Sequence, residues 1–409
     1  MNIQETFEYI HKVNWRGSKP GLSRTKELLT MIGNPHNKLK FIHVAGTNGK
    51  GSTCAMLANI LKVQGYKTGL YTSPYIYVFN ERMQINGENI PDEKLCEITT
   101  YVRQFADKME DAPTEFELIT VVAMEYFARE QCDIVVLETG LGGELDSTNV
   151  INTPEVAVIT AIGLDHVKEL GSDISDIARA KAGIIKPEGR VAFYGGEVEV
   201  LDVIEKACEE KGCLLRFPKR GAADSFDIGL KGVYQRKNAE LVLCTVSLLR
   251  EAGWEIEETS VRQGIATVKW PGRFQKVHKK PDVIVDGGHN PHGVQGTVDS
   301  LKFYYSDKKI HFIMGVMADK EVDEMLEIMK PVAADFVTVT PDNPRAMKAV
   351  DLADLIGKMG ISSVAAGSVD EGVRIAMAKA GEDDVICAIG SLYMFKEVVD
   401  SLVNYAKLW

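Results

Sequence analysis

The sequence predicts an α/β protein of two domains: a P-loop-type domain on a mostly parallel sheet, then a smaller, Rossmann-like α/β domain. Three observations predict it. Apolar runs of strand length alternate with helical patterns over most of the chain. The alternation comes in two blocks, separated by a less regular stretch, 223–272. The first block opens on HVAGTNGKGST, 43–53, in which an apolar run passes through glycines into a helix-forming segment.

The first forty residues read as helical, and SRTKELLTMIG ends on Gly33, a residue suited to follow a helix. KLKFIHVAG reads as a buried strand and GKGSTCAMLANILKVQG as the helix after it. Next come the strand KTGLYTSP, the helix TEFELITVVAMEYFAREQ, and the strands CDIVVLETG and EVAVITAIG. The helix DISDIARAKAGII, the strand GRVAFYG and the helix EVEVLDVIEKACEEKG complete the block. Continuous apolar strands of this kind are covered by helices on both faces. GVYQRKNAELVLCTVSLLREAG is a helix within the irregular stretch, and KWPGRFQ breaks the pattern. The boundary is expected near Pro271–Phe274, giving domains 1–272 and 273–409. After Pro281 come the strands PDVIVDGG, KIHFIMGVM, ADFVTVT, SSVAAG and DDVICAIG. GVQGTVDSLKFYY, EVDEMLEIMK, AVDLADLIGKMG and DEGVRIAMAKA separate them, and KEVVDSLVNYAKLW closes the chain.

A chain of 409 residues can bury one or two large cores. A formal net charge of −11 argues against a broad nucleic-acid or anionic-membrane surface. Anionic ligands would then need specific sites, with divalent metal. The seven cysteines form no C-x-x-C pair and read as buried thiols of a reducing compartment. MNIQETFEYIHK lacks a secretory apolar region, and no apolar stretch reaches membrane-spanning length. The expectation is a cytoplasmic protein with small-molecule partners.

The order strand, Gly46-Thr47-Asn48-Gly49-Lys50-Gly51-Ser52-Thr53, helix aims backbone N–H groups and a helix N-terminus at an anion. Lys50 supplies a point charge for phosphates, and Ser52 or Thr53 a hydroxyl for Mg²⁺. The common pattern G-x-x-x-x-G-K-[ST] fails twice, since Val44 replaces its first glycine and Gly51 follows the lysine. Three further groups lie at predicted strand ends, where ligands of open α/β sheets bind: Ser73 in TSPY, Glu138 in LETGLGG, and Asp165-His166 in AIGLDHVKELG. Glu138 reads equally as a cation ligand or as a carboxylate in a structural network.

GTNGKGS resembles the ATP loop of the Mur ligase superfamily, in particular of folylpolyglutamate synthase and dihydrofolate synthase. Six separated segments match in order over roughly 20–395. The resemblance implies ATP on the phosphate loop, with Asn238, Arg273 and Asp286 also binding it. It implies one or two Mg²⁺ ions held by Ser52, Ser73, Glu138 and His166. Lys181 in RAKAGIIKP would be carbamylated, although an isolated helical lysine is by default exposed. On the pterin side it points to GLSR (21–24), TEFE (114–117) and LDSTN (145–149), with Phe116, Asp146 and Ser147 as contacts. Phe116 reads equally as a core residue, and Arg273 as an interface salt bridge. His289, in VDGGHNPHG, would lie near the transferred phosphate, and Ser391, in AIGSLYM, near incoming glutamate. The chain departs from the family where relatives carry R-L-D-A-T-N and S-P-H: here stand Glu144 to Asn149 and Ser73-Pro74-Tyr75. The pterin side is affected more than the ATP side.

The implied activity is ATP-dependent ligation of L-glutamate to a folate, to dihydropteroate, or to both, through an acyl phosphate, by a monomer. Catalysis would rest on Lys50, Lys181 and His289. The second reading is a cell-wall Mur ligase. That enzyme is expected to need a further N-terminal domain, whereas about forty residues precede the loop strand here. A third reading is a non-ligase P-loop switch, which the DGGHNP segment and the loop spacing disfavour.

Overall fold

A computed structural model describes residues 1–12 and 21–406. The last three residues of KEVVDSLVNYAKLW lie outside the described residues. The chain divides into two compact units, 1–229 with 237–268 and 230–236 with 269–409. The division falls inside the helix Tyr234–Glu251. Residues 230–236 group with the second unit because the Val233 amide donates to Ser300 Oγ and the Tyr234 hydroxyl to Asp286.

Among the described residues the first unit holds eight strands: β1 (Phe41–Ala45), β2 (Thr68–Tyr71), β3 (Met83–Ile85), β4 (Glu88–Asn89), β5 (Ile134–Glu138), β6 (Val156–Ile159), β7 (Arg190–Phe193) and β8 (Leu214–Arg216). Their order is β4-β3-β2-β5-β1-β6-β7-β8, parallel except for the β2-β3-β4 edge. The chain leaves β1 toward β2 on one side and leaves β6 toward β7 on the other. Right-handed crossovers therefore put their helices on opposite faces and open a crevice between the carboxyl ends of β1 and β6. β1 and β5 are buried at every position, as their unbroken apolar runs require.

The second unit pairs β9 (Gln275–His278), β10 (Asp282–Val285), β11 (Ile310–Met314), β12 (Ala333–Thr338), β13 (Ser363–Ala365) and β14 (Val385–Ile389) in the order β13-β12-β11-β14-β10-β9. Only the β9–β10 pair is antiparallel. Phe312 and Phe336 stack in its core at 5.1 Å.

Several elements are not evident from periodicity. β3, β4, β8 and β9 are two to four residues long and lie at or next to sheet edges, too short for an alternation to register. The helix Glu258–Thr267 falls in the stretch read as irregular because Gly264 interrupts its pattern. That glycine serves packing: a Cβ on it would stand 2.6 Å from the Ile60 backbone in the helix Lys50–Gln64.

A buried ion pair anchors the start of the helix Glu115–Arg129. Arg24 donates from Nε and Nη2 to the Glu117 carboxylate at 2.9 and 2.8 Å, and Glu117 also accepts from the Thr114 amide. Arg24→Ala would leave Glu117 buried without its cation and should destabilise the first unit by about 3–5 kcal/mol. Urea unfolding midpoints measure this, and an unchanged midpoint would contradict it.

Candidate functional site

The phosphate loop leaves β1 at the crevice described above. Gly46 has φ 155° and Gly49 has φ 91°. A Cβ on Gly46 would fall 1.7 Å from Thr160 Oγ1, and one on Gly49 2.7 Å from Asn238 Oδ1. Both glycines are thus demanded by close neighbours as well as by backbone angle. The Thr47 and Asn48 amides donate to the Ala161 carbonyl at 2.8 and 3.2 Å. From Gly49 the chain enters the helix Lys50–Gln64, whose first-turn amides have no partner within a helix. Ser52 and Thr53 are buried there, and the Thr53 hydroxyl has no protein partner.

Two lysines meet at this loop. Lys50 Nζ and Lys181 Nζ each lie 3.0 Å from the Gly46 carbonyl. Lys181 is 4% exposed, contrary to the default for an isolated helical lysine. Burial, then the charge of Lys50, pushes its amine down to about 7, against a smaller opposing effect of Asp165 and Asp146. A neutral fraction of this amine is therefore present near pH 7.

Glu138 ends β5, is buried, and accepts the Ser73 amide at 3.2 Å, so these two expected cation ligands come together. His166 has φ 52°, and its ring lies 4.0 Å from Asp165 and 3.9 Å from Glu169. No three His, Cys, Asp or Glu side chains form a metal cluster among the described residues.

Asp146 is fully engaged within its own loop. It accepts from the Gly140 and Leu141 amides at 2.9 and 2.8 Å, and from the Thr148 amide and hydroxyl. Burial raises its carboxyl above the ordinary value, and those hydrogen bonds oppose the rise. The Thr148 hydroxyl gives its proton to Asp146, so His43 Nε2 must donate to Thr148, at 2.8 Å. His43 Nδ1 is then a bare, buried acceptor without a partner. Ser147 is buried behind Asp146, whose side chain caps this short turn. The Phe116 ring lies against Gly140, where a Cβ would stand 2.5 Å from its Cζ. Phe116 is only partly buried, and it packs on the core that holds Tyr71, 6.1 Å away.

In the second unit, Asp286 ends β10 and is likewise enclosed. Its carboxylate accepts from the Gly288 amide (2.8 Å), Thr297 Oγ1 (2.7 Å), the Phe274 amide (2.7 Å) and the Tyr234 hydroxyl (2.7 Å). Arg273 crosses Gly287 so closely that a Cβ there would meet its Nη1 at 2.1 Å. His289 Nδ1 donates to the Gly287 carbonyl at 2.8 Å, which orients its ring. Ser391 accepts the Tyr393 amide at 3.2 Å, after neighbouring strand β14. Arg273, Asp286, His289 and Ser391 therefore gather at adjacent strand ends of one sheet.

The sequence reading missed the supports of this geometry: Thr160 beneath Gly46, the buried Arg24–Glu117 pair, and His43 with Thr148. GLSR, TEFE and LDSTN contain Arg24, Glu117 and Thr148, but the segments do not reveal these pairings, since each depends on a partner far along the chain.

Comparison with known proteins defines the class. Residues 44–255 match the Mur ligase middle domain, and residues 272–392 the Mur ligase glutamate ligase domain. The protein is an ATP-dependent ligase of the Mur type. The chain is 34% identical to dihydrofolate synthase/folylpolyglutamate synthase of Bacillus subtilis, covering 97% of this chain and 98% of the relative. E. coli FolC in complex with DHPP and ADP superposes with a TM-score of 0.90 at 30% identity, over 100% of this chain and 99% of that one. A bifunctional folylpolyglutamate synthase/dihydrofolate synthase from Yersinia pestis, complexed with AMPPNP and Mn ion, gives a TM-score of 0.88 at 26% identity, with 98% of each chain covered. The chain belongs to the folylpolyglutamate synthase/dihydrofolate synthase family.

His43 makes stability depend on pH. Burial, with the charge of Lys186, depresses its folded pKa to about 3 from 6.5. Above pH 6.5 it is neutral folded or unfolded. Below that only the unfolded chain takes the proton, so stability falls, by about 1.4 kcal/mol per pH unit, until pH approaches 3. Denaturant titrations of the wild type and His43→Asn between pH 7 and 4 should show a shallower slope in the variant. Equal slopes would contradict this assignment.

Proposed function

We propose that this protein adds L-glutamate to the carboxylate of reduced folates at the expense of ATP, as a cytoplasmic monomer. The observation that carries the reading is the pair of lysines at the Gly46 carbonyl, beside a glycine loop that leads into a helix N-terminus. Such a site suits the terminal phosphates of a nucleotide. Gly46, Asn48 to Thr53 and Asn238 would cradle them, and the family resemblance assigns Arg273, Asp286 and His289 to the same nucleotide. Asp286, enclosed by four donors, acts by holding the Arg273 segment and the His289 turn in shape.

Phosphoryl transfer requires positioning and charge neutralisation more than a protein nucleophile. The folate carboxylate oxygen attacks the γ-phosphorus and ADP leaves. The glutamate amine then attacks the acyl carbon, phosphate departs with that oxygen, and an amide remains. Lys50 and Arg273 stabilise the charge that develops on the phosphoryl oxygens. A divalent ion, when bound, adds further neutralisation, and Ser52, Ser73, Glu138 and His166 are the residues to hold it. Lys181 joins that set as a carbamate: its neutral amine adds to CO₂ and releases a proton, turning a cation into an oxygen ligand. Phe116 lies on the flat Gly140 segment and offers an aromatic face for a pterin ring. Asp146 shapes that segment by accepting its amides, and Ser147 beside it would serve the same substrate pocket. Ser391 serves the incoming glutamate.

Product mass after incubation with ATP, Mg²⁺ and L-glutamate tests the substrate class. Tetrahydrofolate should gain one or more glutamyl units. Gain by dihydropteroate in a parallel tube adds dihydrofolate synthase activity, and gain in neither tube, with ATP shown to bind, would overturn the folate reading. Lys50→Ala should lower turnover by about 10²–10³-fold; full activity in that variant would contradict its role. Incubation with ¹³C-bicarbonate should give a carbamate resonance that Lys181→Met lacks, and its absence from the wild type would remove the carbamate from the account.

A further inference from the structure

Thr47 belongs to the loop that resembles a nucleotide cradle, yet its polar groups turn to another strand end. Its hydroxyl donates to the Gly163 carbonyl at 2.9 Å and accepts the Gly163 amide at 3.1 Å. Its own amide and that of Asn48 donate to Ala161, and Asn48 pairs with Ala161 as an isolated antiparallel bridge. One step earlier, the Thr160 amide donates to the Ala45 carbonyl at 2.8 Å, and Thr160 Oγ1 fills the space beneath Gly46. Residues 45–48 are thus joined to 160–163 at successive points, all at the crevice between β1 and β6. Thr47 is buried, and both polar groups of Gly163 rely on its single hydroxyl.

Two and three residues beyond Gly163 stand Asp165 and His166. The His166 backbone is left-handed, with φ 52°, and its amide donates to Asp165 Oδ1 at 2.9 Å. A non-glycine residue in that region is held there by its surroundings. The join of Thr47 to Gly163 reaches toward this turn from the β1 side.

We infer that Thr47 is a positioning residue that couples the phosphate loop to the Asp165–His166 turn, so that a phosphate seated on the first orders the second before any cation arrives. The inference rests on the nucleotide site proposed above, and it gives Thr47 a role other than phosphate contact. Coupling of this kind needs a contiguous element that both sites bias, and the 45–48/160–163 join supplies one. Thr47→Val keeps shape but removes both hydrogen bonds to Gly163, whereas Thr47→Ser keeps them.

The test is amide hydrogen exchange on the full chain, with and without a non-hydrolysable ATP analogue, in EDTA. In the wild type, exchange should slow across 46–53 and also, by about tenfold, across 161–166. Thr47→Ser should behave alike, and Thr47→Val should keep the slowing at 46–53 and lose it at 163–166. Slowing in the wild type at 46–53 alone, or full slowing at 163–166 in Thr47→Val, would overturn the coupling. Should Thr47→Val fail to fold, Thr47→Ala, which also removes both hydrogen bonds to Gly163, takes its place, and wild-type slowing at 46–53 alone still overturns the coupling. No slowing anywhere would defeat the nucleotide site itself and the coupling with it.

Discussion

The carbonyl of Gly46 receives two amines, and the arrangement of the first unit follows from that meeting. Two full positive charges cannot share one buried carbonyl without cost. Burial and the nearby charge of Lys50 therefore lower Lys181 to about 7. A phosphate at such a locus would offset the repulsion between the two amines. The glycines of GTNGKGS let the backbone approach, Thr160 and Asn238 fill the space their side chains would take, and the β1–β6 crevice gives the loop its place.

Around that locus, carboxylates act mainly as organisers. Asp146, Asp286 and Glu117 are each enclosed by donors of their own chain. Each orders a loop or helix start that presents another group: Asp146 the Gly140 segment, Asp286 the turn bearing His289, and Glu117 the helix bearing Phe116. A buried carboxylate with four donors has little capacity left for a ligand. Glu138 differs in position, for it ends the strand beside β1 and meets the Ser73 amide.

Much of this was legible in the sequence. The loop, its strand and its helix are contiguous, so spacing alone defines them. The strand-end positions of Glu138, Asp286 and His289 follow from apolar runs that stop at a known residue. The burial of Lys181 was not legible, because helical spacing does not reveal what covers a side chain. Nor was the inward turn of Asp146, which depends on amides five and six residues away adopting one loop shape. Short edge strands and the helix around Gly264 escaped for a related reason: their patterns are set by tertiary neighbours, as Ile60 sets the glycine.

The account stands on an acyl phosphate formed at the lysine-lined loop. The most direct measurement is oxygen transfer: tetrahydrofolate labelled with ¹⁸O at both oxygens of the carboxylate to be ligated is converted with ATP and L-glutamate, the reaction is stopped while only first additions have occurred, and the released phosphate is weighed. The account predicts one ¹⁸O atom in each phosphate formed. Unlabelled phosphate alongside new glutamyl product would contradict it, because the carboxylate oxygen would then have left by another route.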